Sequence, residues 1–159
     1  MRPCRDIATL ATVQIACFSV LANLEPNFFL IHLYESLLYI AILVMLFYRV
    51  DRWAYMIGML ASAVWLGLAY ETGILRKAAE QMSALKTADW TANLVALGAV
   101  VTALVAVLMI GFCGRHWLKE YSGLGKTRRT FFVSLGIVAV LRDSASVLLG
   151  PDPECVIAE

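Results

Sequence analysis

Six residues have the types and the placing to do chemistry: His32, Glu35, Tyr39, Glu71, Arg142 and Asp143. His32, Glu35 and Tyr39 are spaced i, i+3, i+7, which puts them on one face of a helix. An imidazole beside a carboxylate can pass a proton, and an arginine can grip a carboxylate with two hydrogen bonds. The surroundings sharpen the point, because all six fall inside long apolar runs. Ionisable groups cost about 3 kcal/mol or more near a bilayer centre, so they sit there with partners.

The pattern does not suit a metal or cofactor. His32-x-x-Glu35 reverses the Glu-x-x-His order of di-iron helices, and the cluster has one histidine. His116 belongs to the opposite end of its own apolar run, so the two histidines cannot clamp one haem iron. Gly123-Leu124-Gly125-Lys126-Thr127 is similar to the end of a phosphate-binding loop, but Glu120 stands where the first glycine should be and no strand precedes it. It reads as a flexible basic loop. No serine, cysteine or lysine nucleophile has a visible base. Cys4, Cys17, Cys113 and Cys155 lie far apart with no C-x-x-C pair, so no disulfide framework is expected.

The elements that must position the six residues are membrane spans. Of 159 residues, 61% are hydrophobic and 16% charged, against about half and about a quarter in soluble domains. The mean hydropathy is +0.77. Phe28 to Phe47 is long enough to cross a roughly 30 Å hydrocarbon layer at about 1.5 Å per residue. Similar runs give five expected spans, about 7–24, 28–48, 54–75, 91–112 and 130–149, in a single all-α transmembrane bundle. The first run would also suit a cleavable signal, with Val20 and Ala22 before Asn23. Glu25-Pro26-Asn27 makes a tight turn after it.

Residues 76–89 are expected to form a short amphipathic surface helix, and Arg115 to Arg129 a basic loop. Ala54, Gly58 and Ser62 are spaced by four, and the fourth span carries Ala92, Ala96, Ala99, Ala103 and Ala106. Small residues let helices approach closely in lipid, so the third and fourth spans are expected to pair. Leu43, in the bulky second span, is expected to face lipid.

Five spans place nine basic residues on one side (Arg2, Arg5, Arg49, Arg52, Arg115, Lys119, Lys126, Arg128 and Arg129) and three on the other (Arg76, Lys77 and Lys86). The positive-inside rule then puts the N-terminus in the cytoplasm and the C-terminus outside, in a plasma or inner membrane. The alternating directions bring His32, Glu35, Glu71, Arg142 and Asp143 to one depth in the outer half. Arg142 is expected to pair with Glu35 or Glu71.

The expected partners are the lipid bilayer and other membrane subunits, not nucleic acid, because the basic residues follow topology rather than forming a patch. Two functions fit. One is an accessory or scaffold subunit, or packing module, in which the cluster fixes helix register. The other is a small proton- or ion-coupled transporter that uses the cluster. A transporter should have a solvent-connected cavity at the cluster, and a scaffold should not.

Overall fold

A computed structural model of the chain describes residues 5–48, 51–84, 90–121 and 129–140. Among them every regular element is helical. In chain order these are α1 (Arg5–Leu24), a single 3₁₀ turn (Pro26–Phe28), α2 (Phe29–Phe47), α3 (Asp51–Glu71), α4 (Ile74–Ala84) and α5 (Trp90–Tyr121). A sixth helix, α6, is described over Arg129–Val140. Four helices, α1, α2, α3 and α5, are long and apolar enough to cross a membrane.

Two hydroxyls of α1 are satisfied within their own helix. Thr9 and Thr12 donate to the carbonyls of Arg5 and Ala8, four residues back, at 2.8 and 2.9 Å. The α1–α2 connection is tight. Glu25 N–H donates to the Leu21 carbonyl at 2.8 Å, and Pro26, which cannot extend α1, opens the 3₁₀ turn.

The third span was expected to reach residue 75 but ends at Glu71. Gly73 takes a left-handed φ of 69°, the conformation in which glycine commonly closes a helix. The surface helix therefore begins at Ile74, two residues before the expected start, and is described as far as Ala84. Its exposed face carries an Arg76–Glu80 pair at 2.8 Å, and its buried face presents Ala78.

α5 corrects the sequence reading at its far end. Residues 115–121, expected to begin a loop, continue the helix to Tyr121. At 32 residues it is about 48 Å long, well beyond a hydrocarbon layer of about 30 Å. Packing supports the extension. Trp117 is buried, its ring lies 5.3 Å from that of Tyr121, and the Tyr55 ring of α3 packs at a tilt against both His116 and Tyr121. Arg52 adds a cation–π contact over Trp117 at 5.9 Å. Of the expected fifth span, 130–149, the part up to Val140 is helical and residues 141–149 lie outside the described residues. Val138 joins the core.

α3 and α5 run antiparallel, with Arg52 beside Trp117, Tyr55 beside His116 and Gly58 beside Cys113. The expected close pairing of the third and fourth spans holds at Gly58, where an added Cβ would stand 3.2 Å from Cys113 Sγ and 3.9 Å from Met109 Sδ. Two of the alanines of α5 pack elsewhere. Ala96 and Ala99 cluster with Ala78, so they receive the surface helix α4 rather than α3. Gly98 meets α1 instead, where a Cβ would lie 2.9 Å from Leu21 Cδ2. Leu43, expected to face lipid, packs partly buried against the main core. The lipid-facing stripe of α2 is instead Leu30, Leu33, Leu37, Ile40 and Val44.

Candidate polar site

The site is built around Phe18 of α1, which is fully buried and touches rings from two other helices. Its centroid lies 6.1 Å from His32, 5.9 Å from Tyr39 and 6.1 Å from Trp65. This hub presses the polar face of α2 against α1 and α3.

His32 is engaged from both sides. Its Nδ1 lies 3.2 Å from Glu35 Oε2, one helical turn on, and its Nε2 lies 3.3 Å from Glu25 Oε2, across the Pro26 turn. A neutral imidazole has a single N–H, so both contacts are hydrogen bonds only if the ring is protonated or one carboxyl is. With both contacts made as hydrogen bonds, the three groups share one proton more than a neutral ring and two carboxylates. The triad ties the end of α1 to the first turns of α2.

Deeper in the bundle, the Tyr39 hydroxyl and Ser62 Oγ are 3.2 Å apart, which joins α2 to α3. Ser62 is completely buried. Its small size suits a close helix contact, and its hydroxyl is what the helix contributes here. Gln14 of α1 is also completely buried, and neither its Oε1 nor its Nε2 has a hydrogen-bond partner among the described residues. Its amide faces the Tyr39 hydroxyl without meeting hydrogen-bond geometry.

Of the six residues singled out from sequence, His32 and Glu35 meet, and Tyr39 lies on their face but bonds to Ser62. Glu71 is exposed at the end of α3 and makes no ion pair among the described residues. Arg142 and Asp143, and with them the expected Arg142–carboxylate pair, lie outside the described residues. Glu25, Gln14 and Ser62 were missed. Glu25 was legible in principle, being seven residues before His32, but the intervening proline turn hid the shared face.

A cavity of about 470 Å³ opens beside the triad, between the end of α1, α4 and the first turns of α5. Glu25 lines it together with Lys77, Gln81 and Thr91, and its apolar wall includes Val95, Ala96 and Ala99. His32, Glu35 and Tyr39 do not line it. The described residues contain no group of three or more His, Cys, Asp or Glu placed to hold a metal ion, and neither described cysteine, Cys17 or Cys113, is in a disulfide.

No family model matches the chain, and no curated protein or solved structure is significantly similar to it.

Proposed function

We propose that this protein is an integral membrane packing module, serving as an accessory or scaffold subunit, with its polar cluster as the device that fixes helix register. One observation carries the reading. The polar contacts join different elements: Glu25 to His32 across the turn, and Tyr39 to Ser62 between α2 and α3. Polar pairs that bridge separate elements can set geometry without chemistry. The basic residues Arg52, Arg115 and Lys119 gather at one end of the bundle. By the positive-inside rule that end is cytoplasmic, with the triad in the outer half of a plasma or inner membrane.

The runner-up, a proton-coupled transporter, is favoured by one feature. The triad has room for a shared extra proton, and Glu25 lines an open cavity. Mild detergent extraction, followed by reconstitution of the purified protein in liposomes, separates the two. A scaffold co-purifies with companion subunits in fixed ratio and leaves an imposed pH gradient intact. A lone species that dissipates the gradient, and stops doing so as His32→Leu, overturns the scaffold.

A further inference from the structure

The cavity between α1, α4 and α5 carries a second reading, independent of the scaffold role. It brings opposite charges to one concavity, Glu25 from the end of α1 and Lys77 from α4, above an apolar wall of Val95, Ala96 and Ala99. Lys77 makes no ion pair among the described residues. Glu25 contacts His32 through Oε2, and a carboxylate has a second oxygen and further lone pairs to offer. The volume of about 470 Å³ falls in the range of small-molecule pockets. It suits a phospholipid headgroup and glycerol rather than whole acyl chains.

We propose that this cavity is a binding site for an aminophospholipid, with its primary ammonium on Glu25, its phosphate on Lys77 and its acyl chains leaving along the α5 wall into the bilayer. Three features select that ligand. Paired opposite charges fit a zwitterion better than an anionic lipid, which would meet Glu25 unfavourably. A primary ammonium donates hydrogen bonds to a carboxylate, which a quaternary choline lacking N–H cannot do. The amphipathic α4 forms one wall, and helices of this kind lie at the headgroup level, so the cavity opens where headgroups are. Closure of α4 over α5 through Ala78, Ala96 and Ala99 gives the site a fixed floor.

Native mass spectrometry of the full chain, released from nanodiscs of equimolar phosphatidylethanolamine, phosphatidylcholine and phosphatidylglycerol, tests this directly. The expected result is one retained phosphatidylethanolamine per protein, preferred over phosphatidylcholine by roughly tenfold, the scale of one hydrogen bond to a charged group. Glu25→Gln should abolish that preference, and Lys77→Gln should weaken retention of both zwitterionic lipids. Because Glu25→Gln also disturbs the triad, Ala92→Leu serves as a second variant. It fills the cavity from the α5 wall without touching His32, and it should expel the lipid while the melting temperature in lipid-free detergent stays within a few degrees of wild type. Free phosphoethanolamine should fail to compete at concentrations where the short-chain lipid does. Equal retention of the three lipids by wild type and both charge variants would overturn the site. Competition by free phosphoethanolamine as effective as by the lipid would reassign it to a soluble zwitterion and overturn the lipid assignment.

Discussion

His32 Nε2 lies 3.3 Å from Glu25 Oε2, although a proline turn and the boundary between two helices separate them in the chain. That contact converts a loop glutamate into the partner of a membrane-embedded histidine. It also makes the α1–α2 turn depend on chemistry one helical turn inside α2.

His32→Leu should therefore destabilise the protein by about 2 kcal/mol, since it leaves two carboxylates facing an apolar side chain. Glu25→Gln alone should cost less, about 1 kcal/mol, because Glu25 is partly solvated and an amide can still accept from the ring. Thermal unfolding in one detergent ranks the two. A Glu25→Gln protein less stable than His32→Leu would contradict the central place of the imidazole.

The double change His32→Leu with Glu35→Leu should recover part of the His32→Leu loss. Replacing both partners of a buried pair by apolar groups is often close to neutral, whereas removing one is not. A double-mutant cycle measures this, and strictly additive losses would show that Glu35 and His32 do not interact.

Gln14 offers the opposite sign. Its completely buried amide lacks a hydrogen-bond partner for either polar atom among the described residues, and such groups carry an uncompensated desolvation cost. Gln14→Leu, close to it in volume, should leave stability unchanged or raise it by about 1 kcal/mol. A clear fall in melting temperature would mean that the amide is satisfied, for instance by an internal water.

The sequence carried the architecture further than the site. Apolar run length alone specifies α1, α2, α3 and most of α5, because a membrane leaves a buried backbone few alternatives to helix. The His32–Glu35 pair was legible from i, i+3 spacing on one helix. Glu25, Gln14 and Ser62 were not, because their roles arise where separate helices meet, and spacing along one helix cannot report on that. Ala96 and Ala99 illustrate the same limit. Their small size announced a close contact but not that α4 rather than α3 would fill it. The end of α5 was missed because Arg115 and Lys119 looked like loop residues, while the ring packing of Tyr55, His116 and Tyr121 keeps them helical.

The expected topology can be read from native thiols. A membrane-impermeant maleimide should label Cys155 and spare Cys4 in intact cells, as the basic bias places the termini on opposite sides. Cys17 and Cys113 lie within helices and should stay unlabelled until detergent is added. Labelling of both terminal cysteines would remove the five-span arrangement, and labelling of Cys4 alone would invert it and move the triad to the inner half.

Two glycines of the bundle distinguish helix packing from helix propensity. A Cβ on Gly58 meets Cys113 Sγ at 3.2 Å, while one on Gly111 meets nothing within 4 Å. Alanine is the better helix former in both places, by about 0.5–1 kcal/mol in an exposed interior position. Gly111→Ala should realise that gain. Gly58→Ala should lose most of it in pushing α3 and α5 apart, and Gly58→Leu should disrupt folding, since overpacking a close contact costs about 1–3 kcal/mol or more. Leu37→Ala is the appropriate control for lost volume, as Leu37 is 52% exposed on the lipid-facing stripe, and it should change little. If Gly58→Leu melts with wild type in detergent, α3 and α5 do not meet at that glycine, and the antiparallel register through Arg52–Trp117 and Tyr55–His116 fails with it.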